Sequence, residues 1–259
     1  MYLKYLQLLP IITLTICNHV TSLDHEYSKE NRIIGGTDEE IENAPWQISL
    51  QYKKQHICGG SIYSKDIIIT AAHCVEKLSA EEFEIRAGSS KQSEGGTLIK
   101  VAKIISHERY NIPMFANDIA VLRLAEPLAF GESINSIPLA ESSPKKCDMA
   151  IVTGWGRTGP SNLPSSELQT TTLKILGKYT CRLAFFFIPN KDMFCAISRR
   201  SGVCSGDSGG PLVLNGALIG VVSLGRPNCS GPSVFVDVAR MQSWILATIE
   251  KISTDSSSE

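Results

Sequence analysis

Aromatic residues are scarce in this sequence: Phe, Trp and Tyr together make up 7% of its 259 residues. No run of basic residues occurs and the formal charge is -1, which excludes the electrostatic footprint of a nucleic-acid-binding protein. No internal repeat is present, so repeat architectures are excluded, and the one low-complexity stretch is the tail Ser253 to Glu259. Beyond residue 22 no apolar run is long enough to cross a bilayer as a helix. What is present is enough apolar material for a packed core, with 43% hydrophobic and 20% charged residues. The length allows one large domain or two small ones.

The N-terminus has its own pattern. Lys4 is followed by Tyr5, Leu6, Leu8, Leu9, Ile11, Ile12, Leu14 and Ile16, a short apolar stretch broken by Pro10. Val20 and Ser22 then stand at small-residue positions. This is the pattern of a signal peptide over residues 1–22, too short for a membrane span. A buried N-terminal segment is opposed by the polar stretch Asp24 to Arg32, which separates these residues from the rest. Secretion permits disulfides. There are eight cysteines: Cys17, Cys58, Cys74, Cys147, Cys181, Cys195, Cys204 and Cys229. Removing Cys17 with the signal leaves an odd number, so one thiol is expected to lack a partner within the mature chain.

From Ile33 onward the chain reads as short strands. Ile48 to Tyr52 alternates, and Ile67 to Ile69, Ile119 to Leu122, Leu218 to Val222 and Val234 to Val236 are buried runs between Gly, Pro, Asn and Ser clusters. Many short strands with turn signals predict an all-β sandwich or barrel. Residues Ala239 to Ile252 differ: Met241, Trp244, Ile245, Thr248, Ile249 and Ile252 recur at helical spacing. The stretch Ala125 to Lys146, rich in Pro, Glu and Ser, reads as a connection between two lobes.

Three segments carry chemistry. Ser208 stands in Gly206-Asp207-Ser208-Gly209-Gly210-Pro211, where glycines let the backbone approach a substrate closely. A serine there can attack a carbonyl if a base removes its proton, and the N–H groups of Gly206 and Ser208 can bind the resulting oxyanion. The plain alternative is a Gly-rich turn with a structural serine. His73, in Thr70-Ala71-Ala72-His73-Cys74, is the candidate base; small residues after a buried strand place it at a strand end. Asp118, in Asn117-Asp118-Ile119-Ala120, enters an apolar run, which is costly unless its charge is paired. A histidine tautomer held by that carboxylate supplies the pair.

These segments, in the order His, Asp, Ser, resemble those of the chymotrypsin/trypsin family of serine proteases. The resemblance covers residues 33–259 and includes Arg32-Ile33-Ile34-Gly35-Gly36, Pro45-Trp46-Gln47, Cys58-Gly59-Gly60-Ser61, Gly154-Trp155-Gly156 and Trp244. It implies two six-stranded antiparallel β-barrels with a C-terminal α-helix, the first over residues 33–140 and the second over 141–259. It implies a secreted, monomeric endopeptidase made as a zymogen, with catalytic His73, Asp118 and Ser208 and no cofactor. Residues 23–32 would be an activation propeptide, cut between Arg32 and Ile33 by a separate trypsin-like protease. The freed Ile33 ammonium would then pair with Asp207, which His56 holds in the inactive form. Protein or peptide substrates and protein inhibitors are the implied partners. The implied disulfides are Cys58–Cys74, Cys181–Cys195 and Cys204–Cys229. Cys147 is left as a free thiol, a bridge to another molecule, or a partner of Cys17.

By the same resemblance Ser223 supports Asp118, and Gly202, Val203, Ser205, Ser223, Leu224, Gly225 and Ser233 line the substrate cleft. The base of the pocket falls at Gly202, where trypsin-like members carry an aspartate to meet a cationic substrate. With Gly202, Val203, Gly225 and Ser233 uncharged, Lys and Arg are expected to be rejected. The expected preference is Phe, Tyr, Leu or Met, similar to insect-type chymotrypsins. An elastase-like preference for Val or Ala, or a catalytically silent binding homologue, are the alternatives. Phe185 is expected beside the pocket, with Phe186, Phe187 or Ile188 at its rim. The family has Trp at Leu224, so substrate stacking there changes. Ser89-Ser90-Lys91-Gln92 replaces the carboxylate-bearing calcium loop, so no metal is expected. Asn228-Cys229-Ser230 matches a glycosylation sequon, but a disulfide at its centre argues against modification.

Overall fold

β-branched residues, which favour the pleated backbone, are densest in the first half at Ile67 to Thr70 and in the stretch Thr97 to Ser106. The computed structural model describes residues 36–111, 115–157, 163–185, 190–198, 202–226 and 228–254. A short strand β1 (Thr37–Asp38) comes first. It is followed by β2 (Gln47–Tyr52), β3 (Gln55–Ile62), β4 (Ile67–Thr70), β5 (Phe83–Ala87), β6 (Thr97–Ser106) and β7 (Ala120–Leu124). Strands β2 to β7 close into an antiparallel barrel in the order β2-β3-β4-β7-β6-β5, with β5 returning to β2. Ile48, Leu50, Ile62, Ile68, Ile85 and Val121 are fully buried in it.

The second barrel uses β8 (Met149–Gly154), β9 (Gln169–Ile175), β10 (Met193–Ile197), β11 (Pro211–Leu214), β12 (Ala217–Leu224) and β13 (Ser233–Asp237). The β8–β9 pairing closes the ring β8-β9-β10-β13-β12-β11. Strand β1 pairs with β9, Thr37 opposite Thr170 and Asp38 opposite Gln169. The described part of the chain thus joins the second barrel at Thr37 and Asp38 before it builds the first. No strand lies between β7 and β8. There the chain is tied to the second barrel by Ala140 N–H to the Leu218 carbonyl (3.0 Å) and Leu218 N–H to that of Pro138 (2.9 Å). The second barrel encloses its own cluster around Val152, Leu212 and Phe235, while the first barrel's core runs on through Leu218, Val221 and Val234 to the C-terminal helix.

The helix predicted from Ala239 is observed as Val238–Thr254 (α2), with Met241, Ile245, Thr248 and Ile252 buried on one face. The Asp237 carboxylate accepts the Arg240 N–H at 3.3 Å, satisfying an otherwise orphaned donor of the first turn. The helix packs back across the first barrel. Trp244 stacks on His107 with ring centres 4.7 Å apart, and its indole N–H donates to Glu108 at 2.8 Å. A short second helix, Lys178–Ala184 (α1), is not anticipated by periodicity; it is held to β10 by the Cys181–Cys195 bridge.

The bridges Cys58–Cys74, Cys181–Cys195 and Cys204–Cys229 are all present. Cys147 is also disulfide-bonded, to a partner outside the described residues. The free-thiol expectation is therefore corrected. It rested on a count of cysteines along the chain, which does not show which sulfurs meet in space. Arg32, Ile33 and the rim residues Phe186, Phe187, Ile188 and Pro189 lie outside the described residues. Among the described residues no helix is long and apolar enough to cross a membrane.

Candidate active site

The site forms where the two barrels meet. β4 ends at Thr70, and a short 3₁₀ turn, Ala72–Cys74, carries His73 out of the first barrel. The Cys58–Cys74 bridge ties that turn to β3. Asp118 stands just before β7 and is buried. Its two oxygens take three donors: the His73 backbone N–H at 2.9 Å, the His73 ring Nδ1 at 2.7 Å and the Ser223 hydroxyl, on β12 of the other barrel, at 2.6 Å. A carboxylate oxygen is the acceptor in each of these three contacts. It therefore fixes the proton on Nδ1 of His73 and leaves Nε2 as a lone-pair acceptor.

Ser208 lies on the turn before β11, and neighbouring bonds fix its backbone. Its carbonyl accepts the Gly59 N–H of β3 at 2.7 Å, while Gly209 N–H donates to Val222 of β12 at 2.8 Å. Gly209 has φ +76, and a Cβ there would lie 2.6 Å from the Gly59 carbonyl oxygen, so only glycine fits this crossing. The Ser208 side chain is half-buried. Among the described residues no hydrogen bond joins its hydroxyl to His73, whose Nε2 lies 3.7 Å from the Cys74 sulfur. Among the same residues, the backbone N–H groups of Gly206 and Ser208 have no protein acceptor.

Asp207 points the other way, into the protein. Its carboxylate accepts Gly156 N–H at 2.7 Å and Cys204 N–H at 2.9 Å. Burial raises its carboxyl from 3.8 to about 6, against the opposing pull of those two donors. His56 was expected on this carboxylate. Its Nε2 instead meets the Gly206 carbonyl at 3.0 Å, and its Nδ1 meets the Ser49 hydroxyl at 2.8 Å. A carbonyl can only accept, so Nε2 carries the proton and Nδ1 receives the Ser49 hydroxyl. Burial lowers the His56 pKa to about 4 and keeps the ring neutral. Ser49 is missed by sequence reasoning. The available signal is a hydroxyl between Ile48 and Leu50 in an otherwise buried strand.

Gly202, Val203 and Ser233 are buried, Gly225 and Ser205 are exposed, and Leu224 is half-buried at the end of β12. A Cβ on Gly202 would sit 2.6 Å from the Cys229 carbonyl oxygen, and one on Gly225 would sit 2.8 Å from that of Val203. Segments 202–203, 225–226 and 229–231 therefore form close-set walls. Arg226, absent from the sequence-based site, stands at their rim. The calcium-loop equivalent is closed by its own groups: Lys91 pairs with Glu94 at 2.6 Å, and Ser89 donates to the Glu94 carbonyl. Cys58, His73 and Cys74 come within metal-ligand range of one another, but both sulfurs are in a disulfide and not available as thiolates.

Comparison with known proteins agrees with this geometry. The family model described as Trypsin matches residues 33–245. Trypsin alpha of Drosophila erecta is 43% identical over 230 residues, covering 86% of this chain and 90% of its own. Hypodermin-A of Hypoderma lineatum is 43% identical over 232 residues, with 86% and 90% covered. Among solved structures, neuropsin, a serine protease expressed in the limbic system of mouse brain, has a TM-score of 0.76 at 31% identity. It covers 83% of this chain and 98% of its own. The scabies mite inactivated protease paralogue S-D1 has a TM-score of 0.79 at 28% identity, covering 84% and 97%. With the barrels, the His73–Asp118 pair and these matches in agreement, the chain belongs to the trypsin family and is a serine endopeptidase.

Proposed function

We propose that this protein is a secreted zymogen that, once cut between Arg32 and Ile33, cleaves peptide bonds after large apolar or aromatic residues. The observation that carries the specificity is the lack of a carboxylate among the described pocket residues: Gly202, Val203, Gly225 and Ser233 offer none, and Asp207 is engaged by Gly156 and Cys204 N–H groups. A buried substrate ammonium or guanidinium would find no counter-charge. Relatives that carry the name trypsin share the family but do not alter what stands at Gly202.

The chemistry follows from the proton positions. Ser208 Oγ attacks the substrate carbonyl carbon while its proton passes to Nε2 of His73. The imidazolium so formed is stabilised by Asp118. The carbonyl oxygen, now an oxyanion, takes the N–H groups of Gly206 and Ser208. Collapse expels the amine, which receives the His73 proton, and leaves an acyl group on Ser208. Water then repeats the sequence and frees the acid. The substrate adds as an antiparallel strand to Ser223–Gly225. In support, β12 outruns β11, whose last pair is Pro211–Val221, and Gly225 has no backbone partner among the described residues.

Activation would bring the Ile33 ammonium to Asp207, removing the cost of an unpaired buried carboxylate. Residues 1–22 and 23–32 are then signal and activation peptide. Ser205 lines the cleft beside Gly206. An elastase-like preference would apply if Val203 and Ser233 narrow the pocket. A silent homologue is opposed by the free Gly206 and Ser208 donors and by the His73–Asp118 bond. The test is the trypsin-activated protein on matched peptides ending in Phe, Leu, Ala and Arg. Highest kcat/KM on Phe or Leu is expected, and preferred cleavage after Arg refutes the reading. A serine-directed organophosphorus reagent should label Ser208 once; failure to label would support the silent alternative.

A further inference from the structure

We propose that Arg226 is a specificity-determining residue that selects substrates with an acidic side chain at the third or fourth position before the cut bond. This rests on the strand-addition reading above and extends it beyond the primary pocket.

The placement comes from register. In an antiparallel pair, each step towards the substrate N-terminus faces one step forward on β12 and its extension. If the residue before the cut bond lies opposite Ser223, the third residue lies opposite Gly225 and the fourth opposite Arg226. Gly225 has no side chain, so beyond Leu224 the next side chain of this wall that an upstream residue meets is Arg226.

The side chain is held but not neutralised. Its Nη2 donates to the Ala184 carbonyl at the end of α1, at 3.2 Å, and its guanidinium lies 5.8 Å from the Phe185 ring centre. Its Cδ and Nε pass 3.6 Å from where a Cβ on Gly231 would be. The guanidinium is thus steadied against α1 and the 229–231 wall, which lowers the entropy lost on binding. Among the described residues one of its five N–H donors is used, leaving a fork suited to a carboxylate. Among the described residues no carboxylate pairs with it, and the residue is exposed. Its neighbours in the wall, Gly225, Gly231 and Val203, bring no charge. An upstream Glu or Asp is therefore the complement that the cleft itself lacks, and an upstream Lys is repelled.

The experiment compares peptides bearing Glu, Gln or Lys at the third and fourth positions before the bond. The residue next to the bond is the one cleaved best in the Phe, Leu, Ala and Arg series, so an error in primary preference changes the series used and leaves this comparison readable. We expect kcat/KM in the order Glu, Gln, Lys, with about tenfold between the extremes, as for one exposed charge pair gained and one repulsion removed. The difference should shrink as salt is raised and lie mainly in KM. Arg226→Gln should collapse it, Arg226→Lys should keep part of it, and Arg226→Glu should invert it, each with an unchanged melting midpoint showing intact folding. An order that survives Arg226→Gln, or equal cleavage of Glu and Lys peptides by the wild-type protein, overturns the proposal. Absence of cleavage in every series overturns it together with the proposed activity.

Discussion

Buried Asp207 and half-buried His56 titrate with opposite effects on stability, and replacing Asp207 with Asn separates them. In the uncut chain burial raises Asp207 from 3.8 to about 6. The folded state therefore holds that proton more tightly than the unfolded state. Stability from this group is full below pH 3.8 and is lost as pH rises through about 6. The difference corresponds to about 3 kcal/mol. His56 behaves oppositely. Burial lowers it from 6.5 to about 4, so the unfolded state binds its proton first. Its contribution is full above pH 6.5 and is lost as pH falls towards 4, again about 3 kcal/mol. The two nearly offset each other across the window between pH 4 and 6.5. Urea unfolding of uncut protein carrying Ser208→Ala, at intervals from pH 4 to pH 8, should show this pair contributing little slope. Adding Asp207→Asn should leave the His56 effect alone. The variant should gain on the parent by about 3 kcal/mol as pH rises from 4 to 7. After cleavage at Arg32 that relative gain should vanish, because the Ile33 ammonium stabilises the charged carboxylate. A parent-minus-variant difference that is flat between pH 4 and 7 in the uncut chain would refute the reasoning, as would one of the opposite sign.

Asp118→Asn should lower kcat about 10,000-fold, the scale known for such triads, because an amide cannot hold the His73 proton on Nδ1 by accepting at every contact; single-turnover kinetics would read this. Ser223→Ala removes a 2.6 Å bond to the same carboxylate and should cost about tenfold to a hundredfold in kcat/KM, the range for a hydrogen bond to a charged group. Gly209→Ala combines φ +76 with a Cβ 2.6 Å from the Gly59 oxygen, so thermal denaturation should show a large loss of stability, and a wild-type midpoint would count against the described turn. Gly202→Asp should fail to produce clean cleavage after Arg, because the added Cβ meets the Cys229 carbonyl oxygen at 2.6 Å; efficient Arg cleavage by that variant would show that the walls can move apart.

The local content of the sequence determined the parts that local chemistry controls. Period-two and continuous apolar runs marked strands such as Ile67 to Thr70, and helical spacing from Met241 to Ile252 marked α2, because alternation and 3.6-residue spacing are properties of neighbouring residues. The glycines around Ser208, the small residues before His73 and an aspartate at the head of an apolar run pointed to the chemistry for the same reason. What only the tertiary structure decided is who meets whom across the chain. The β8–β9 pairing that closes the second barrel, and the return of β1 to β9, are choices of register between distant segments, and no local period encodes them. Cys147 was misjudged by counting, since pairing depends on where sulfurs meet in space. His56 rests on the Gly206 carbonyl rather than on Asp207, and its protonation follows from burial, which the sequence does not display. Arg226 reads as an ordinary surface cation in one dimension. It acquires a role because folding sets it at the rim between α1 and the 229–231 wall, with no carboxylate paired to it among the described residues.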